Sequence, residues 1–229
     1  SFFPYQPTAI KHIAPTPVGC LPQIAVIREA EPTKLEIMTP SSDWAVEKII
    51  YTGAGENFEC SVFVGLDSSE EEEIDISSAL KKNSQATASI YTEDKSKLNA
   101  KHFLPRSESS KFPRARLFTA GVDGRLREWS NSAEQGHSIE LFSVDVNGGA
   151  IWSLAISPDQ STLAIGCEDG RIRLFSIYER TVEFLRGFEA ADVAKNGESA
   201  RILSLAWDSQ GTSLISGSAS GSIKLWNPS

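Results

Sequence analysis

Several residue groupings in this chain of 229 residues carry types that do chemistry elsewhere. Gly217-Ser-Ala-Ser-Gly221 has the glycine spacing of a nucleophile elbow, where a serine on a sharp strand-to-helix turn attacks an acyl carbon. Its central position is Ala219 and strand-like alternation flanks it on both sides, so it reads as a hairpin turn. Gly53-Ala-Gly55-Glu-Asn-Phe58 lacks the third glycine of a dinucleotide fingerprint and leads into a strand, which removes the helix N-terminus that would hold a pyrophosphate. His12, His102 and His137 have no Cys, His or Asp at metal-ligand spacing. Cys20, Cys60 and Cys167 stand 40 and 107 positions apart, which fits neither a disulfide framework nor a zinc set, and they read as reduced, packed thiols. The expectation is a chain with no catalytic residue, no metal and no cofactor of its own; an enzyme reading would need its reactive groups from elsewhere.

The remaining candidates are cations. Arg125 and Arg127, Arg171 and Arg173, and Lys224 each follow a glycine turn with alternate spacing, so in a strand they share a face. If successive copies line up, these five form a short cationic arc, and arginine forks onto phosphate or carboxylate. They are the candidate RNA or partner contacts. The competing reading pairs them with Glu128, Glu168 and other neighbours, or lays their stems over apolar strands.

What would align them is a repeat. Leu117-Phe-Thr-Ala-Gly-Val-Asp-Gly-Arg-Leu-Arg-Glu-Trp129 recurs as Leu163-Ala-Ile-Gly-Cys-Glu-Asp-Gly-Arg-Ile-Arg-Leu-Phe175 and as Leu214-Ile-Ser-Gly-Ser-Ala-Ser-Gly-Ser-Ile-Lys-Leu-Trp226. The turn glycines Gly124, Gly170 and Gly221 lie 46 and 51 residues apart, and an aromatic follows each after five positions. Ile151-Trp-Ser-Leu-Ala-Ile156 and Ile202-Leu-Ser-Leu-Ala-Trp207 repeat with the same offset of 51. Asp-Gly supplies a tight turn, because Gly accepts positive φ and Asp bonds its own backbone. The best copy predicts four strands, at 151–157, 162–167, 171–177 and 181–187: one propeller blade.

Upstream, 9–14, 23–28, 34–38 and 45–51 give four fainter strands, with Glu29-Ala-Glu-Pro-Thr33 in place of an Asp-Gly turn. A second blade opens at 60–65 and resumes at Arg116 across an insert at 66–113. That insert carries Ser68-Ser-Glu-Glu-Glu-Glu73 and ten serines between 66 and 110, the composition of a disordered acidic loop. Ser68 and Ser69 have Glu three positions on, a context acidophilic kinases accept, and 74–82 could fold as a short helix on a partner. The chain as a whole, 1–229, reads as all-β, an incomplete propeller of about three and a half blades belonging to a longer ring, since open blade edges must be covered.

Lys and Arg total 22 against 30 Asp and Glu, a formal net charge of −8. Bulk charge therefore does not attract nucleic acid, although a local patch can. No apolar stretch approaches the roughly 20 residues that span a bilayer, and the start Ser-Phe-Phe-Pro-Tyr-Gln-Pro carries no secretory signature. No membrane and no small-molecule substrate is expected.

The repeat length, the Asp-Gly turn and the aromatic closing the third strand resemble the WD40 repeat. That family tends to place Gly-His before the first strand and Ser late in the second, forming a hydrogen-bonded tetrad with Asp and Trp. Here the corresponding residues are Gly148-Gly149 without His, then Thr119, Ile165 and Ser216; only Asp123 with Trp129 keeps the turn-to-strand pair. The tryptophans Trp129 and Trp226 read as blade core, not stacking platforms. Taken together, Phe2-Phe-Pro-Tyr-Gln-Pro-Thr-Ala-Ile10, Gly148-Gly-Ala-Ile-Trp-Ser-Leu-Ala-Ile-Ser-Pro158, Gly166-Cys-Glu-Asp-Gly170 and Arg201-Ile-Leu-Ser-Leu-Ala-Trp207 resemble the cirhin-like WD40 subunits of the UtpA (t-UTP) subcomplex in the small-subunit processome. The resemblance implies a non-catalytic scaffold in the nucleolus of the nucleus, with other UtpA subunits (WD40 and helical-repeat proteins) and the pre-rRNA 5′ external transcribed spacer as partners, supporting maturation of 18S rRNA. The other class of reading is a regulatory adaptor that brings a peptide to a ubiquitin ligase or chromatin complex.

Overall fold

The computed structural model describes residues 9–40, 44–51, 56–65, 114–131, 139–178, 181–189 and 200–228. The insert at 66–113 with Ser68, Ser69 and 74–82, as well as His102 and His137, lies outside the described residues.

The predicted hairpins pair into sheets of consecutive antiparallel strands. β1 (Ile10–Pro15), β2 (Ile24–Arg28), β3 (Glu31–Met38) and β4 (Val46–Tyr51) make the first sheet. β5 (Phe58–Val64), β6 (Arg116–Gly121), β7 (Arg125–Trp129) and β8 (Glu140–Asp145) make the second. The third holds β9 (Ile151–Ile156), β10 (Thr162–Cys167), β11 (Arg171–Tyr178) and β12 (Thr181–Glu189), and the fourth β13 (Ile202–Trp207), β14 (Leu214–Ser218) and β15 (Ile223–Trp226). The first strand of each sheet packs against the first strand of the next: β1 on β5, β5 on β9, β9 on β13. Sheets arranged in this way are propeller blades with their first strands innermost. Among the described residues the fold is a β-propeller arrangement of three four-stranded blades and one of three strands. Val64 and Arg116 are Cα partners, so the chain leaves and re-enters the second blade at one point.

The core lies between blades. Ile27, Leu35 and Ile37 of the first blade meet Phe58, Phe63, Leu117 and Trp129 of the second. Phe118, Ala120 and Leu126 of the second meet Ile151, Leu163, Ile165 and Phe175 of the third. Ala164, Ile172 and Leu174 then meet Ile202 and Leu214 of the fourth. Alternate side chains of one strand thus feed two different apolar layers, Leu117 one and Phe118 the next. This explains why 117–120 and 163–167 read as unbroken small-and-apolar runs where a strand with one wet face would alternate. Burying a side chain such as Phe118 on both sides is worth about 2 kcal/mol.

Two features depart from the sequence expectation. The first blade turns through Glu29 and Ala30 alone, with Arg28 opposite Glu31, so β3 begins three residues earlier than expected. Pro32 sits where the ladder skips from Arg28 to Ile27, and Leu35 is the next paired residue, so its missing N–H is not needed. The second feature is a periodic bulge. Each innermost strand carries one extra residue near its start, namely Lys11, Glu59, Trp152 and Leu203. Each complete blade carries another in its outermost strand, at Glu47, Leu141 and Leu185. Outer bulges twist an edge away from further pairing, and inner ones re-aim a side chain.

Candidate interaction face

The Asp-Gly turns set the geometry of one rim. Gly124 has φ +72°, and a Cβ there would stand 2.7 Å from the Gly149 carbonyl oxygen, so only glycine fits between the turn and the loop entering the third blade. The Arg125 backbone N–H donates to Asp123 Oδ1 (3.2 Å), and the Arg171 N–H likewise to Asp169 Oδ1 (3.0 Å). These are the Asx bonds the sequence predicts.

The second arginine of each copy closes back on the same aspartate. Arg127 Nη2 reaches Asp123 Oδ2 at 2.5 Å and Glu56 Oε2 at 3.4 Å, while its Nε donates to Glu140 Oε2 at 3.2 Å. Arg173 is bidentate on Asp169, Nη1 to Oδ1 at 3.0 Å and Nη2 to Oδ2 at 2.6 Å, and Nη2 also donates to the Asn147 carbonyl at 2.8 Å. A Cβ at Gly148 would lie 2.5 Å from Arg173 Nη1 and 2.8 Å from Cys167 Cβ. In the third blade, where the repeat pattern lacks its histidine, a guanidinium joins the turn aspartate to the loop before the first strand.

At the other end of the tetrad the hydroxyl partners hold. Trp129 Nε1 donates to Thr119 Oγ1 at 2.7 Å and Trp226 Nε1 to Ser216 Oγ at 2.9 Å, whereas the third blade replaces this bond with the buried apolar pair Ile165 and Phe175. Trp129 is buried in the layer between the first two blades, and Trp226 packs at 5.4 Å between ring centroids on Phe188.

The four arginines singled out are engaged inside or beside their own blade. Besides Arg127 and Arg173, Arg125 donates through Nε to Ser143 Oγ at 2.8 Å, and Arg171 pairs with Glu189 at 2.7 Å while staying exposed. Lys224 stands at the register position of Arg127 and Arg173, opposite Ser216 as they are opposite Thr119 and Ile165. The carboxylates that pair with these arginines are not Glu128 and Glu168: Glu128 is bidentate with Arg116 (2.7 and 2.9 Å), and Glu168 binds Arg201 at 2.7 Å.

Electrostatically the Asp123 cluster is one unit. Glu56 hydrogen-bonds Asp123, and that bond together with burial pushes the Glu56 carboxyl up. Burial works against the Asp123 charge too, but the Arg127 guanidinium and the Glu56 bond hold its carboxyl below the usual range. Blades are also stitched by single polar bonds: His12 Nε2 lies 2.9 Å from the Ser61 carbonyl, Lys48 donates to the Ser130 carbonyl at 2.7 Å, and Trp207 Nε1 to the Ala155 carbonyl at 3.1 Å. Burial pushes the His12 imidazole below its ordinary pKa, with the Ser61 bond opposing.

Sequence reasoning missed a second cluster, because its members come from a bulge, a turn and a loop that no motif links. The indole of the bulged Trp152 donates to Glu168 Oε2 at 2.5 Å, Arg201 Nε donates to Glu168 Oε1 at 2.7 Å, and the guanidinium lies 5.1 Å from the Trp152 ring centroid. Among the described residues no group of three or more His, Cys, Asp or Glu could hold a metal ion, and no helix is long and apolar enough to cross a membrane.

The family model of the WD domain, G-beta repeat, matches residues 136–176 and 193–227, which hold β8 to the body of β11 and β13 to β15. Among curated proteins the chain is similar to human U3 small nucleolar RNA-associated protein 4 homolog, 40 % identical over 103 residues, covering 45 % of this chain and 13 % of the human protein. It is also similar to U3 small nucleolar RNA-associated protein 4 of Schizosaccharomyces pombe, 28 % identical over 195 residues, covering 84 % of this chain and 19 % of that protein. The Saccharomyces cerevisiae protein of that name is 30 % identical over 112 residues, 49 % of this chain and 13 % of its own length. The chain thus spans less than a fifth of the length of these relatives.

Proposed function

We propose that this WD40-repeat propeller is part of a non-catalytic scaffold in early small-subunit ribosome assembly. The observation that supports the reading most is the similarity to proteins named for association with the U3 small nucleolar RNA, which for the Schizosaccharomyces pombe protein reaches across 84 % of the chain. In this reading the protein is a cirhin-like subunit of UtpA. It works in the nucleolus beside other WD40 and helical-repeat subunits on the 5′ external transcribed spacer, and supports processing toward 18S rRNA. The physics agrees: blade rims and edges offer large, pre-formed protein contact area, while the turn aspartates and their arginines are spent on holding the blades rather than poised for chemistry.

Within this proposal Arg125, Arg171 and Lys224 are the cations for local RNA or partner contacts, Arg171 being half exposed with only an exposed glutamate to release. Arg127 and Arg173 act beneath them by fixing the turns. The test is recovery of tagged full-length protein at gentle salt with and without ribonuclease. Pre-rRNA spacer recovered together with WD40 partners that survive ribonuclease is the expected result. Ubiquitin-ligase or chromatin subunits without rRNA would overturn it. Replacing Arg125, Arg171 and Lys224 with Ala should reduce the salt dependence of RNA crosslinking by somewhat under one log unit per true phosphate contact.

A further inference from the structure

We propose that the Trp152–Arg201 stack is a docking point for an acidic peptide segment of a partner protein, whose Asp or Glu carboxylate is held by the terminal amino groups of Arg201.

Three observations carry this. The extra residue in β9 is Trp152 itself: Ile151 pairs with Cys167 and Ser153 with Gly166, which leaves the indole out of the ladder, half-buried, on an innermost strand. A large aromatic placed there is spare to the blade's own pairing, and bulges recur where a side chain must be re-aimed. The second observation is how Arg201 is held. Its Nε is bonded to Glu168 and its guanidinium carbon lies over the indole, 5.1 Å from the ring centroid, yet Nη1 and Nη2 have no partner among the described residues, and the side chain is 51 % exposed. A guanidinium fixed by one edge and one face presents its remaining donors as a pre-oriented fork, so little side-chain entropy is lost when a carboxylate arrives. The third is residue type, since buried or half-buried Trp and Arg are the residues that most often dominate binding at protein interfaces.

The surroundings favour a carboxylate over a nucleic-acid strand. RNA affinity needs several cations acting along a backbone. The stack brings one guanidinium, its charge already offset by Glu168 at 2.7 Å, so its remaining donors suit one carboxylate better than a chain of phosphates. A single unoccupied fork beside a single indole matches one acid group flanked by an apolar or aromatic side chain. The inference does not depend on the ribosome-assembly reading.

The experiment uses full-length protein against an array of nine-residue peptides in which one central Asp, Glu, Lys, Arg or Ala is flanked by Leu, Phe or Ser. Selected peptides are then titrated in solution by fluorescence anisotropy. The expected result is selection of Asp or Glu next to Leu or Phe. R201E should reverse the selection to Lys or Arg and weaken the originally selected peptides by about tenfold or more, the size of a lost charge-assisted contact. R201K keeps the charge without the fork and should weaken them by a few-fold. W152L, with its melting temperature checked against the parent, should remove the Leu/Phe preference. Absence of acidic preference, or a preference that R201E leaves unchanged, overturns the proposal. So does a twelve-residue oligouridine that binds through Arg201 more tightly than any peptide.

Discussion

Arg173 grips Asp169 through both carboxylate oxygens, at 3.0 and 2.6 Å, directly across the space a side chain at residue 148 would fill. Gly148 is therefore required by what lies above it, not by its own backbone angle. G148A should force the guanidinium off either Asp169 or the Asn147 carbonyl and destabilise the protein by about 1–3 kcal/mol, the usual cost of overpacking a fitted site. Urea unfolding checks this, and the double variant G148A/R173K should lose clearly less than the sum of the single changes because the clash and the grip are one interaction. Full additivity would show that the two residues are not coupled.

The Trp129–Thr119 bond is buried, and Thr119 is wholly enclosed. T119V keeps the shape and deletes the acceptor, so the indole N–H is left without water or partner. A loss of about 2 kcal/mol is expected, within the range for stranding a buried donor. The equivalent change at Ser216, S216A, should cost less than half as much, because Trp226 is only partly buried and water can reach its N–H. Equal losses measured by urea denaturation would contradict this difference in how far water reaches the two indoles.

Acid stability should track the carboxylates that close the inner turns. Asp159 accepts from Ser157 Oγ at 2.5 Å and Ser161 Oγ at 2.7 Å, and Asp208 from the Ser213 N–H at 3.0 Å and Thr212 Oγ1 at 2.7 Å. Burial works against the Asp159 charge but its serine donors outweigh it, and the Ser213 and Thr212 donors act on Asp208, so both carboxyls titrate below the ordinary value. A folded-state pKa lower than the unfolded one, about 3.9, means stability that is complete above pH 4 and lost as pH falls through the folded value. D159N should thus be less stable than the parent at pH 6 and lose less on acidification, the two curves drawing together near pH 2. Parallel curves from pH 6 to pH 2 would rule this out.

Most of the blade plan was legible because a propeller writes its architecture into a period. The Asp-Gly turns, the aromatic five positions on and the doubly buried runs at 117–120 and 163–167 each have one local cause, and the strands lie where that cause puts them. The site was less legible. That Arg127 and Arg173 would fold back on Asp123 and Asp169 follows from i,i+4 spacing across a tight turn, which a period-two reading treats as two outward cations. Glu56 and Arg201 stand just before β5 and β13, at positions where the aligned copies share no residue type, so nothing in the period points to them. The bulges at Lys11, Glu59, Trp152 and Leu203 leave no trace in composition, since one extra residue in a six-residue strand does not disturb the alternation enough to be seen.

The first blade has no Asp-Gly turn, and a buried ion triad takes over its role of tying β2 to β3. Glu36, 1 % exposed, receives Arg28 Nε and Lys34 Nζ, each at 2.9 Å. Burial alone would raise the Glu36 carboxyl, but the two cations hold it below the carboxylate range, and it stays charged at neutral pH. Removing the anion while leaving both cations in place is the costly way to break such a group. Because the Arg28 and Lys34 side chains keep some contact with solvent, the expected loss for E36Q at pH 7 is about 2 kcal/mol, below the range for a fully enclosed pair. The triple change R28M/E36L/K34M, which removes all three charges and keeps the volume, should recover most of that loss if the triad's role is to be satisfied rather than to attract. A triple variant less stable than E36Q would instead mean that the ion pairs contribute net stability to the hairpin.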